Sequence, residues 1–157
     1  MNTRKINWKA LILFLLLTLG IGGGVGALLG GDMGLDGLVK PPLAPPAWLF
    51  PVAWTILYVL MAVAAYLVSV SGDADRKQPL PLYWLQLIVN ALWPLFFFRL
   101  EWRLFAFVWL LVLLALAAST AWNFRSISQT AFYLFLPYLV WLLFAAYLNL
   151  SFYVLYG

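Results

Sequence analysis

The chain has 157 residues, of which 66% are hydrophobic and only 9% charged, a balance far from that of soluble domains. It contains no Cys and no His, which excludes disulfides, thiolate metal sites and the commonest general base. The net charge of +4 sits in short segments between apolar runs, so it carries topology information and does not point to nucleic acid.

A helix needs about 20 mostly apolar residues to cross a bilayer, and backbone groups in lipid must bond within their own segment. Five stretches meet this requirement: about Trp8–Leu29, Trp48–Val70, Leu82–Phe98, Leu104–Trp122 and Thr130–Tyr156. The expected fold is therefore all-α, an integral membrane bundle of five transmembrane helices. Residues 1–157 form one domain, and residues 30–46 form a proline-rich loop between the first two spans.

The first stretch follows Arg4, Lys5 and Lys9 and ends in small residues, a pattern shared with signal peptides. Its apolar run exceeds the usual signal core of about 7–15 residues, so it is read as a span. It also carries GIGGGVGALLGG. There Gly22, Gly26 and Gly30 repeat every four residues, as do Gly20 and Gly24. Small residues at that spacing admit a close neighbour, either within the bundle or in a second copy. The glycines also weaken the helix and allow a local break.

On the second span Trp54 and Tyr58 share a face, followed by Ala62 and by Ala65 or Tyr66. On the third, QLIVNALW puts Gln86, Asn90 and Trp93 on one face, which must point into the bundle because an amide in hydrocarbon needs a partner. Interhelical pairing accounts for Gln86 as well as a ligand does. For Asn90, beside Trp93, a ligand-facing role is expected. On the fifth span Pro137, Trp141, Ala145 and Asn149 fall at successive steps of four. That stripe combines a helix distortion, a large aromatic, a small gap and an amide. Ordinary large-against-small packing would give the same stripe. Together the three faces describe aromatic walls with few polar points, the make-up of a site for a flat, largely apolar ligand.

Trp8, Trp48, Trp102 and Trp122 lie at span ends, where an interfacial belt would place them. With five spans, Arg4, Lys5, Lys9, Arg76, Lys77 and Arg125 fall on one side, against Lys40, Arg99 and Arg103 on the other. The bias puts the N-terminus in the cytoplasm and the C-terminus outside a cell membrane. No span beyond Lys9 holds a charged residue, so proton-coupled export through an intramembrane carboxylate has no candidate group. No metal cluster, phosphate loop or conventional catalytic set is visible.

Three segments, KPPLAPPAWLFPVAWTILYVLMAVAAYLV, WLQLIVNALWPLFFF and PYLVWLLFAAYLN, occur in order and together closely resemble the tryptophan-rich sensory protein family, which includes the mitochondrial translocator protein. The resemblance covers about residues 35–152. It implies a five-helix bundle, usually a homodimer, with a cavity beneath the first loop as lid. It also implies protoporphyrin IX or another tetrapyrrole as ligand, membrane lipid as surroundings and no obligate cofactor. Carried over by motif, Trp54, Asn90, Trp93, Trp141 and Ala145 are ligand-binding positions and Pro45 and Pro46 end the lid; Tyr58, on the face of Trp54, joins the ligand-binding set, and Lys40 the lid. The lid departs from the family pattern: Gly34 and Leu35 stand where a Trp-Tyr pair is frequent, and Leu43 where a tryptophan is common. The basic residue of the proposed sterol motif is missing after the fifth span. Within this resemblance the expected function is a receptor or sensor for flat hydrophobic ligands. The alternatives are light-dependent porphyrin degradation, with Trp54 and Trp141 as electron-donating indoles, or porphyrin or lipid transport. A structural scaffold is the plainest reading.

Overall fold

A computed structural model describes residues 5–25, 27–28, 39–71 and 79–157. Five apolar helices long enough to cross a membrane run through it. Helix α1 (Trp8–Thr18) continues as a π-helical segment over Leu19–Val25. Helix α2 spans Leu49–Ser69, and α3 spans Leu80–Pro94 before a second π-helical segment over Leu95–Arg99. Helices α4 (Arg103–Arg125) and α5 (Gln129–Tyr156) complete the bundle. The boundaries lie within a few residues of those expected from hydrophobic length.

Both π segments have a cause in the local sequence. Four of the seven residues in Leu19–Val25 are glycine, which offers the least resistance to a widened turn. Pro94 has no N–H to return to the preceding turn, and the chain recovers by a wider bond from the Leu100 N–H to the Leu95 carbonyl at 2.9 Å. The break expected in the glycine run is thus a change of helical pitch. The distortion expected at Pro137 does not interrupt α5, which runs as one helix of 28 residues.

The helices close in the order α1, α2, α5, α4, α3, with α3 returning to the π segment of α1. On the N-terminal side of the bundle the interior is filled by aromatic rings: Tyr83 stacks on Phe124 and meets Phe135 edge-on, and its hydroxyl shares a 2.6 Å hydrogen bond with Thr18. Toward the opposite end the helices enclose a cavity. Trp8, Trp48, Trp102 and Trp122 are all more than half exposed at helix ends, as an interfacial belt requires.

Of the first loop, Val39–Trp48 is described, while Gly34 and Leu35 lie outside the described residues, as do Gly26, Gly30, Arg4, Arg76 and Lys77. The Ala44 N–H bonds to the Pro41 carbonyl across a turn in which Leu43 holds φ +67°. Pro42 presets the first corner of that turn, and the second demands positive φ, a strained setting for leucine. Two hydroxyls of α5 hold this part of the loop: Tyr147 donates to the Pro42 carbonyl at 2.7 Å, and Tyr156 to the Val39 carbonyl at 2.8 Å.

Candidate functional site

The cavity measures about 380 Å³, within the range typical of small-molecule sites. It is walled by the π segment of α1, the first turns of α2, the second half of α3 with its π segment, and the second half of α5. Trp54, Tyr58, Asn90, Trp93, Trp141 and Ala145, the six positions singled out from the sequence, all line it. Lys40, Pro45 and Pro46 do not: Lys40 and Pro46 are exposed and Pro45 is half-buried, on the loop beyond the cavity.

Its aromatic wall is set by mutual contact. Trp54 stacks on Tyr58 with centroids 5.5 Å apart and meets Trp141 edge-on at 6.2 Å. Trp93 stacks on Phe97 at 4.9 Å. Edge and stacked pairs of this kind fix ring orientation beyond what area burial alone provides.

The floor is a polar chain. The Tyr58 hydroxyl donates to Asn90 Oδ1 at 2.7 Å, and Asn90 Nδ2 donates to the Tyr138 hydroxyl at 2.7 Å. Tyr138 donates in turn to Gln86 Oε1 at 2.9 Å, and Gln86 Nε2 reaches Met61 Sδ at 3.9 Å. The chain ties α2, α3 and α5 together at the level where solid packing gives way to the cavity. Gln86 is therefore interhelical glue, one of the two roles left open for it. Asn90 both faces the cavity and holds the floor; one amide N–H and part of the carbonyl's accepting capacity stay uncommitted.

A second polar link closes the far wall. The Trp93 indole donates to Asn149 Oδ1 at 3.0 Å, and Asn149 Nδ2 donates to the Arg103 carbonyl at 2.8 Å. By contrast the Trp141 indole nitrogen is buried without a hydrogen-bond partner among the described residues. Gly22 makes the close approach on the α1 side: a β-carbon there would lie 2.6 Å from Tyr58 Cζ. This resolves the glycine pattern at position 22 in favour of packing within the bundle.

Sequence reasoning missed part of the site. Phe50, Phe97, Phe98 and Phe152 also line the cavity, and Tyr138 is the hub beneath it. The apolar rings carry no sequence signal that separates a cavity wall from a core. Tyr138 could have been found as a phenol in a membrane span that needs a partner. A second hollow, of about 590 Å³, opens at the opposite end among Lys5, Tyr66, Val70 and Ser128. Though larger by volume, it is lined by helix ends and loop residues and contains no indole.

The amino-acid sequence has counterparts among known proteins. The TspO/MBR family model matches residues 12–155. The chain belongs to the TspO/MBR family. It is similar to the tryptophan-rich sensory protein of Cereibacter sphaeroides, 39% identical over 92% of this chain and 90% of that one. Protein CrtK of Rhodobacter capsulatus is 39% identical over 82% of both chains. The translocator protein of Ovis aries is 42% identical over 71% of this chain and 68% of its own. As a family member with five apolar helices, the protein is a multi-pass membrane protein.

Proposed function

We propose that this protein is a membrane receptor for flat, hydrophobic ligands of the tetrapyrrole class, protoporphyrin IX among them, bound in the cavity over the Tyr58–Asn90 floor. The observation that carries the reading is the wall itself: three indoles and a gap at Ala145 surround an apolar space. A flat macrocycle matches such an aromatic wall. The names of the relatives, sensory and translocator proteins, are compatible with ligand reception.

Titrating protoporphyrin IX into purified protein and following tryptophan fluorescence tests this. Trp141→Phe removes part of a ring that walls the cavity, and is expected to raise Kd about three- to tenfold. Unchanged affinity in both Trp141→Phe and Asn90→Ala would remove the cavity from consideration.

The protein is placed in the cell membrane with its N-terminus in the cytoplasm, on the six-to-three distribution of Lys and Arg. Because the sequence contains no Cys, single introduced cysteines report sidedness cleanly. In intact cells an impermeant maleimide should label Leu43→Cys and spare Ser126→Cys, and the reverse pattern would invert the topology. A homodimer is proposed as the working assembly. Gly20, Gly23 and Gly24 have open space where a β-carbon would go, which leaves a small-residue face for a second copy.

A further inference from the structure

The hollow of about 590 Å³ at the other end of the bundle collects hydrogen-bond donors and positive charge. Lys5 lines it, exposed and without an ion pair among the described residues. Two helices begin there. Asn7 caps α1 by accepting from the Ala10 N–H at 3.2 Å, and Ser128 caps α5 by accepting from the Ala131 N–H at 3.2 Å. Each start brings the positive end of a helix dipole and first-turn amides that lie outside the intrahelical ladder. Ser128 lines the hollow, and its hydroxyl proton has no acceptor among the described residues. The same holds for Tyr66. Its side chain is only 7% exposed, its oxygen accepts from the Asn7 N–H at 2.9 Å, and its O–H is left to donate into the hollow.

The groups that would oppose an anion here are already engaged. Helix α2 ends at this level, and a helix C-terminus presents carbonyls. The Tyr66 carbonyl, however, accepts from the Val70 N–H at 3.1 Å and from Ser69 Oγ at 2.8 Å. The Val68 carbonyl accepts from the Ser71 N–H at 3.3 Å and from Ser71 Oγ at 3.0 Å. No acidic residue is among the described lining, and the sequence between Ser71 and Pro79 is balanced, Asp73 and Asp75 against Arg76 and Lys77. A buried phenol whose proton has no acceptor is costly, and a phosphate oxygen beside an ammonium group meets it. The rest of the lining is apolar, Ile6 and Ile127 among it. On the adjoining turns of α1 and α4, the exposed indoles of Trp8 and Trp122 mark the membrane–water boundary.

The geometry points to a site for the headgroup of an anionic phospholipid. Its phosphate is taken by the Lys5 ammonium, the Tyr66 hydroxyl and Ser128 at the start of α5, and its glycerol and first acyl carbons lie against Ile6 and Ile127. A free phosphate would leave that apolar part of the hollow uncovered, which favours a lipid as the source. A choline or ethanolamine headgroup would bring its own cation against Lys5, which favours a lipid with net negative charge. Basic pockets between transmembrane helices on the cytoplasmic side hold anionic headgroups in this way, and the cytoplasm is the side proposed for the N-terminus. Nothing in this site depends on what binds in the indole-walled cavity. A lipid seated here ties the starts of α1 and α5 to the end of α2.

The test counts lipids retained by the purified protein in native mass spectrometry. The protein is taken from micelles of an uncharged detergent doped equally with phosphatidylglycerol and phosphatidylcholine of the same acyl chains. The unaltered protein should retain phosphatidylglycerol about fivefold over phosphatidylcholine, the gain expected of one well-placed cation. Lys5→Gln should bring the two lipids close to parity. Lys9→Gln removes the same charge from an exposed position of α1 outside the hollow, and should keep most of the preference. Tyr66→Phe should lower the preference about twofold or more. Should that variant fail to fold, the two lysine variants, both at exposed positions, decide the matter. Equal retention of both lipids by the unaltered protein overturns the inference, and so does an equal loss in Lys5→Gln and Lys9→Gln, the mark of diffuse surface charge. Thermal unfolding distinguishes the source of the phosphate. Phosphatidylglycerol should raise Tm, whereas inorganic phosphate at matched concentration and ionic strength should not; an equal rise with inorganic phosphate makes the occupant a free anion and overturns the lipid assignment.

Discussion

Asn90→Ala should cost about 2–3 kcal/mol of stability, measured by reversible unfolding in mixed micelles. It removes the acceptor of the Tyr58 hydroxyl and the donor to Tyr138, two bonds of 2.7 Å each in the middle of the bundle. Interhelical hydrogen bonds in membrane proteins average only about 0.6 kcal/mol each and reach about 1.7. The larger figure arises because the substitution also strands the Tyr58 hydroxyl, which is buried between α1 and the cavity, and an unmet buried donor costs about 1–3 kcal/mol. Tyr138 is less affected, since it keeps Gln86 as an acceptor. A double-mutant cycle with Tyr58→Phe separates these contributions. If the hydroxyl–amide bond exists, the double variant should be less damaged than the sum of the singles by about 0.5–2 kcal/mol. Strict additivity would show that Tyr58 and Asn90 do not meet.

The helices themselves were legible in the sequence. Hydrophobic length alone located all five, because lipid leaves a spanning backbone no other arrangement. Helical spacing placed Asn90 and Trp93, Trp54 and Tyr58, and Trp141 and Ala145 on shared faces, and the structure puts all six around one cavity. Spacing within one helix, however, does not say which faces meet. The pairing of Trp93 with Asn149 and of Gln86 with Tyr138 depends on the order of helices around the bundle, which hydrophobicity leaves undetermined. Pitch was only partly legible. Glycines suggested a break after Thr18 and the structure has a π segment there, whereas Pro94 introduces a π segment and Pro137 leaves α5 unbroken. Proline deletes one backbone donor in both helices, and the neighbours packed around it decide whether the pitch changes. The surroundings of the arginines after α3 were the least legible. Arg99 and Arg103 entered the sequence reading only as topology charges, and their position beside the wall became visible through Leu28, Asn149 and Tyr156.

Alanine at Gly22 and alanine at Gly24, only two residues apart, should change stability in opposite directions. Gly24→Ala places a methyl in open space and gains up to about 1 kcal/mol from helix propensity. Gly22→Ala gains the same propensity term but drives its β-carbon to 2.6 Å from Tyr58 Cζ and 2.8 Å from Cδ1. Tyr58 cannot retreat freely, because its hydroxyl is anchored on Asn90 at 2.7 Å and Trp54 stacks against its ring. Overpacking of this kind costs about 1–3 kcal/mol, which exceeds the propensity gain across most of that range. The expected net effect is a loss of up to about 2 kcal/mol, together with weaker protoporphyrin binding as the ring is pushed toward the cavity. Truncating the obstacle with Tyr58→Ala in the Gly22→Ala background should erase the added penalty, leaving only the cost of Tyr58→Ala itself. Equal stabilisation by both glycine substitutions would refute the close approach of α1 to α2. Light scattering on the Gly24→Ala protein addresses the outer face of α1: a shift toward monomer is expected where a second copy packs against Gly20 and Gly24, since the added methyl then meets a partner helix.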